Sequence, residues 1–270
     1  MPPKLQKVSI AGLGAIGKAL ARRLDDGIPG LGLVSVSARD EAKAQTFLDT
    51  LKKPVPIVAL DRLADEADIV VECLPGDLFV QVATPVLAAG KIFVAVSVGA
   101  LLTAPHLIDL ARERGGQIIV PTGALLGLDA VTAAIEGEIH SVKMKTRKPV
   151  NGLLGAPHLV ANRIEIEGIT EPKLVFSGTA RDAAKGFPAN VNVAAALALA
   201  GIGPDRTTID IWADPALTRN VHYIEVESNS ARFSMTIENI PSENPKTGRI
   251  TALSVLAALR KVTSPIRIGT

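Results

Sequence analysis

The sequence predicts an α/β fold: a doubly wound parallel sheet, then a second α/β domain built on an open mixed sheet. Three observations carry that prediction. Up to about residue 123, β-rich runs alternate with amphipathic stretches of helical period, the pattern of a parallel sheet with crossover helices. A cluster of glycines occupies the first strand-to-helix turn. Past residue 123 the rhythm changes, and three strand-like runs follow one another without a helix between them.

The elements can be justified in order. "KVSIAGLGAIGKALARRLDD" begins with a β-rich run, Val8 to Ala11, and continues into an amphipathic helix. "LGLVSVSA" (31–38) is a strand, and "DEAKAQTFLDTLKK" a helix with Asp40 near its start. "VPIVALDRL" and "ADIVVECLP" are further strand candidates. "DLFVQVATPVLAAG" is a helix stopped by Gly90, followed by the strand "KIFVAVSVG". "APHLIDLARERGG" is a helix with a glycine stop, and "QIIVPTG" another strand. In the second half "ALLGLDAVTAAIEG" predicts a helix, "EIHSVKMKTRKP" a strand with alternating basic residues, and "PKLVFSGTA" a strand. "ARDAAKGFPANVNVAAALALAGIG" holds two helical stretches broken at Pro188, with Asn190 as a candidate N-cap and Gly201 as a stop. "TTIDIWADP", "NVHYIEVES" and "ARFSMTIENIP" are the three successive strands. The expected domains are 1–122, for a dinucleotide, and 123–244, with a C-terminal helix within 245–270 returning to pack on the first.

Composition narrows the function classes. The 270 residues are 47% hydrophobic and 21% charged, enough for one or two domains with a sizeable core. A net charge of +2, from 29 basic against 27 acidic residues, argues against nucleic acid and against an acidic membrane surface. Aromatic residues make up only 3%, so stacking platforms for bases are not expected either. One cysteine, Cys73, excludes an internal disulfide framework and fits a reducing compartment. The opening "MPPKLQKVSIAGLG" forms neither a signal peptide nor a membrane span, so a cytoplasmic protein is expected.

The glycine cluster reads Gly12-x-Gly14-x-x-Gly17, with Ala15 and Ile16 between the last two. Gly12 permits a tight turn, Gly14 lets a pyrophosphate approach the backbone, and Gly17 lets helix and strand pack closely. Free N–H groups and the helix dipole then favour the anion. NAD or NADP is the expected cofactor. An acidic residue that would take the adenosine ribose hydroxyls is missing from the end of the second strand, which reads Ser37-Ala38-Arg39-Asp40. Ser37 and Arg39 are candidates for a 2′-phosphate and Asp40 for the ribose, so the choice of dinucleotide stays open.

Candidate chemistry is sparse. No His/Cys/Asp/Glu cluster has metal-ligand spacing, so no metal is expected, and Gly-x-Ser-x-Gly is absent. His106, His140 and His158 read as structural or solvated. His222 is the candidate acid/base, sharing one strand face with Asn220, although the pattern alone favours a packed histidine.

Several long segments resemble the L-aspartate dehydrogenase family. They are "GLGAIG" (12–17), "DIVVEC" (68–73), "SVGAL" (97–101), "PTGALLGLDA" (121–130), "RKP" (147–149), "FSGTARDAAKGFPANVNVAAALALAG" (176–201), "ADPALTRNVHYIEV" (213–226) and "ENIPSENPKTG" (238–248). The resemblance implies a homodimer with a Rossmann domain and an α/β dimerisation domain. It implies oxidation of aspartate, a small dicarboxylate amino acid, to iminoaspartate, which is then hydrolysed to oxaloacetate and ammonia. By position it gives Ala124 and Asn190 to the nicotinamide and His222 to the active site. Arg147, Lys148, Asn192 and Asn220 are candidates for the substrate, Arg147 and Lys148 for its carboxylates. Leu126 stands where the family commonly has a glycine, and the 73–79 loop also departs from the family's. These departures keep a dehydrogenase of another small keto or imino acid, and a silent NAD(P)-binding sensor, as alternatives.

Overall fold

The computed structural model describes residues 5–188, 191–242 and 248–269. The chain splits into two compact units, Met1–Pro121 with Ala252–Arg267, and Thr122–Thr251 with Ile268–Thr270.

The first unit runs β1 (Gln6–Ala11), α1 (Ala15–Asp25), β2 (Leu31–Ser37), α2 (Glu41–Leu48), α3 (Leu63–Glu66), β3 (Ile69–Glu72), α4 (Phe79–Ala88), β4 (Ile92–Ala95), α5 (Val98–Leu101), α6 (His106–Arg114) and β5 (Gln117–Ile119). Its five strands lie in the order β2-β1-β3-β4-β5, and every neighbouring pair is parallel. The strands are apolar on both faces, as helix-covered parallel strands must be: β3 is buried at all of its positions. One side packs Val8, Ile10, Leu20, Leu24 and Val71 together with Val255, Leu256 and Leu259 of the last helix. The other packs Phe79, Val82, Val86, Phe93 and Leu107.

Two strand expectations need correction. The run 55–63 forms no strand; Ile57 makes an isolated bridge to Val36, and a 3-10 turn at Leu60–Arg62 leads into α3. Pro54 and Pro56 lack N–H donors, so the segment can offer β2 only Pro56 O to Val36 N and Val58 N to Val36 O. Likewise β4 stops at Ala95, and Val98–Leu101 is helical, because the N–H groups of Val96 and Ser97 turn to the Glu72 carboxylate.

The second unit runs α7 (Leu128–Ile135), β6 (Ile139–Lys148), α8 (Pro157–Ala161), β7 (Lys173–Thr179), α9 (Ala180–Gly186), α10 (Asn192–Ala200), β8 (Thr207–Ala213), β9 (Asn220–Ser228) and β10 (Arg232–Asn239); α11 (Ile250–Thr263) ends the helical elements. The helix expected over 124–137 begins only at Leu128. Gly127 is held at φ +66°, where a Cβ would lie 1.9 Å from Met235 Sδ, so the turn and its tight packing require glycine. The sheet order is β10-β9-β6-β8-β7, with β6 and β8 parallel and the other pairs antiparallel. Along β6 exposure alternates residue by residue from Val142 to Lys148, the signature of a sheet with one covered face. Val142, Met144, Ile209, Ile211, Ile224 and Val226 line the buried face. Alanine-rich α10 packs on α7, α9 and β8, its small side chains permitting close approach.

Candidate functional site

The glycine turn of the first unit has the geometry of an anion cradle. Gly12 has φ +98° and donates its N–H to Ser37 O at 2.8 Å. A Cβ there would lie 2.7 Å from Cys73 O, and one on Gly17 would lie 1.9 Å from Gly12 O. Gly14 differs: a Cβ on it meets nothing within 4 Å. It is the N-cap of α1 without a side-chain cap, and the first turn, with Ala15 and Ile16, carries no acidic residue. Those free N–H groups suit a pyrophosphate. Ser37 ends β2 opposite Ala11, while Arg39 is exposed beyond it. Asp40 is committed elsewhere: its carboxylate caps α2 by accepting from Lys43 N at 3.1 Å and pairs with Lys43 Nζ at 3.2 Å. These contacts hold its carboxyl below the usual range.

Beside the cradle lies a residue that sequence reasoning missed. Glu72 ends β3, fully buried between Ala11 of β1 and Ala95 of β4. Its carboxylate accepts from Leu74 N (2.7 Å), Ser97 N (2.8 Å), Val96 N (3.1 Å) and Ser97 Oγ (3.0 Å). Burial raises its pKa, and the backbone donors oppose that rise. The carboxylate thus clamps the loops that follow β3 and β4. One of them supplies the Cys73 carbonyl and the Leu74 side chain against which Gly12 is packed.

The second unit concentrates its polar residues at one end of the buried sheet face. Thr146 and His222 face each other across β6 and β9, and Thr146 Oγ1 is hydrogen-bonded to His222 Nδ1. Both are buried, as is Lys148, two residues along β6 on the same face. Burial lowers the Lys148 pKa to about 8. Burial, together with the Lys148 charge, lowers that of His222 to about 3. Asn220 is half-buried on the face that carries His222, and pairs in register with Asn239 of β10. Asn239, also missed from sequence, is buried and donates Nδ2 to Ala124 O at 2.9 Å, while its Oδ1 has no hydrogen-bond partner among the described residues.

Arg147 and Lys148 do not act together. Successive strand residues point to opposite faces, and Arg147 turns to the buried carboxylate of Asp214. Asp214 also donates its N–H to Lys148 O at 2.8 Å and accepts from Ala216 N at 3.0 Å, fastening the end of β6 to the turn after β8. Asn192 opens α10, and Leu126 is half-buried in the turn before α7. Asn190 lies outside the described residues. The remaining histidines stand apart: His106 is exposed at the start of α6, exposed His140 lies 3.9 Å from Glu138, and His158 packs on Phe176 and Phe187.

Residues 129–262 match the family model described as "Aspartate dehydrogenase, C-terminal", and residues 12–121 match "Homoserine dehydrogenase, NAD binding domain". An L-aspartate dehydrogenase of Bradyrhizobium diazoefficiens is 60% identical over 98% of this chain and 94% of its own. The chain belongs to the L-aspartate dehydrogenase family. A family relative in Bordetella bronchiseptica is 59% identical, over 97% of each chain. In fold, the chain is similar to the aspartate dehydrogenase of Thermotoga maritima, with a TM-score of 0.72 at 23% identity over 98% of this chain and 99% of that one. A hyperthermophilic archaeal homoserine dehydrogenase, solved with NADPH, gives a TM-score of 0.62 at 16% identity, over 98% and 99%. The family's parallel nucleotide sheet and second mixed sheet are both present here.

Proposed function

We propose that the protein oxidises L-aspartate with NAD or NADP, giving iminoaspartate that water converts to oxaloacetate and ammonia. The observation that carries this reading is the buried Thr146–His222–Lys148 cluster in a chain of this family. Gly12, Gly14, Ala15, Ile16 and Gly17 hold the dinucleotide pyrophosphate, with Ser37 and Arg39 toward the adenosine ribose. Ala124 and Asn190 meet the nicotinamide, which when bound accepts a hydride from the substrate Cα.

Lys148 takes a substrate carboxylate. Its ammonium is buried on the sheet face that carries His222, and a cation there complements an anionic group of the substrate. Asn192 and Asn220 supply neutral hydrogen-bonding groups for the rest of the polar substrate. Carboxylate binding also offsets the Lys148 charge, which adds to burial in depressing His222. His222 then takes a proton from water as its oxygen attacks the imine carbon. The C–O bond forms and the C=N π bond opens as the proton reaches nitrogen. The new hydroxyl then gives up its proton to nitrogen, C=O forms and the C–N bond breaks to release ammonia, with no net oxidation or reduction in this step.

The reading extends to a cytoplasmic protein, a homodimer as the family resemblance implies, whose iminoaspartate supplies NAD biosynthesis. Light scattering then returns twice the 28.1 kDa chain mass. The test of the reaction is NAD(P)H formation with L-aspartate, D-aspartate and L-glutamate. Turnover with L-aspartate alone is expected, and preference for another amino acid would overturn the substrate assignment.

A further inference from the structure

We propose that Thr146 is the positioning residue of this centre: its hydroxyl accepts the Nδ1–H of His222 and holds the imidazole as the tautomer whose Nε2 carries the lone pair. The inference rests on the reading that His222 is the base of imine hydrolysis, and it deepens that reading.

The argument begins with what β6 ought to contain. Its covered face carries Val142 and Met144, both buried, and the next position on that face is Thr146, 3% exposed. Valine has nearly the same shape. A hydroxyl buried there without a partner costs ~1–3 kcal/mol, so a threonine in this row calls for an acceptor or donor opposite. Among the described residues, its hydroxyl has one hydrogen-bond partner, His222 Nδ1, and which of the two donates follows from the tautomer of the ring.

The geometry that joins them is set by the backbone. Thr146 and His222 occupy directly opposed positions of the β6–β9 ladder, and the register irregularity of that pair lies far off, between Ile139 and Ser141. Threonine is stiff about its first side-chain torsion. The end of β6 is fastened by Asp214, through Lys148 O and Arg147. The hydroxyl is therefore fixed, and the ring orients to it.

The choice of a neutral partner has a chemical consequence. A carboxylate opposite Nδ1 would favour imidazolium, which has no lone pair to offer water. A threonine oxygen orients the ring without adding charge. If the hydroxyl instead donated to Nδ1, the proton would sit on Nε2 and the outer nitrogen would be an acid. General-base attack on the imine requires the first arrangement.

Three proteins test this: wild type, Thr146→Val and Thr146→Ser. Thr146→Val keeps shape and removes the hydroxyl; kcat for L-aspartate is expected to fall about tenfold or more, a share of the ~10²–10⁴ that a general base contributes. KM for L-aspartate and the Kd for NAD(P)H stay within about twofold, and Thr146→Ser restores most of the rate. Nitrogen-15 NMR of wild type, whose four histidines can be assigned by substitution, shows protonated Nδ1 and unprotonated Nε2 at His222. A wild-type kcat in Thr146→Val, or an Nε2–H tautomer in wild type, overturns the proposal. The NMR measurement decides even if the valine variant fails to fold. His222→Ala separates the two layers. If it is inactive while Thr146→Val is normal, only the positioning role falls; if it turns over normally, the base assignment falls as well.

Discussion

Glu72 in the first unit and His222 with Lys148 in the second are buried alike, at 0%, 1% and 3% exposure, and burial pushes all three toward their neutral forms, yet they differ in what opposes that push. Glu72 receives three backbone N–H groups and a serine hydroxyl, which stabilise its carboxylate against burial. Around His222, which is hydrogen-bonded to Thr146, and Lys148, burial prevails and drives both toward their neutral forms. The first arrangement spends a buried charge on holding two loops in place. The second leaves titratable groups whose charge state changes readily when a dianionic ligand arrives. All three are shifted first by burial; what distinguishes Glu72 as a scaffold is the set of backbone donors that oppose the shift.

Substitutions on each side sharpen that contrast. The largest effect is expected at Lys148. Lys148→Met should raise KM for L-aspartate ~100-fold, within the ~2–5 kcal/mol that follows loss of one partner from a buried charged contact. The same substitution should raise the melting temperature, because it removes a charge that burial disfavours. The sign with pH follows from the lowered pKa. Between about 8 and 10.5 the unfolded chain holds a proton on Lys148 that the folded chain does not, so the stability of wild type rises with pH through that window. The advantage of Lys148→Met in chemical denaturation should thus be greatest below pH 8 and shrink toward 10.5.

Glu72→Gln should behave in the reverse manner. An amide presents one acceptor oxygen where the loops aim donors at two, so stability should fall by ~1–3 kcal/mol. The Kd for NAD(P)H should rise about tenfold, as the wall against Gly12 loosens, with KM for L-aspartate little changed at saturating cofactor. A titration by cofactor fluorescence measures it. Equal losses of cofactor and aspartate binding would erase the distinction between scaffold and reactive cluster.

Acid probes the same cluster from the other side. His222 takes a proton in the unfolded chain near 6.5 and in the folded chain near 3. Wild-type stability should decline as pH falls through that interval, and His222→Ala should decline less steeply, as urea titrations at several pH values would show.

Much of this was legible in the sequence. The parallel sheet followed from alternating strand and helix patterns, and the glycine turn from its spacing between β1 and α1. His222 was singled out through the family resemblance, because its strand pattern alone favoured a packed histidine. Glu72 was not, because it lies inside the apolar run "DIVVEC" and its donors at Val96 and Ser97 come from 24 and 25 residues away. Thr146 was hidden for a related reason: only strand register brings it to His222 across 76 residues. The separation of Arg147 from Lys148 was implicit in the two-residue period of β6, but the buried Asp214 that draws Arg147 away was not. The strand expected over 55–63 failed because hydrophobicity outweighed the missing donors of Pro54 and Pro56.

The central claim is that the polar end of the second sheet carries the chemistry and His222 is its base. Steady-state turnover of L-aspartate by wild type and His222→Ala, alongside NAD(P)H binding to both, tests it most directly. The account predicts that the variant binds NAD(P)H within about twofold of wild type and loses ~10²–10⁴ in kcat. A His222→Ala protein that oxidises L-aspartate at the wild-type rate would contradict it.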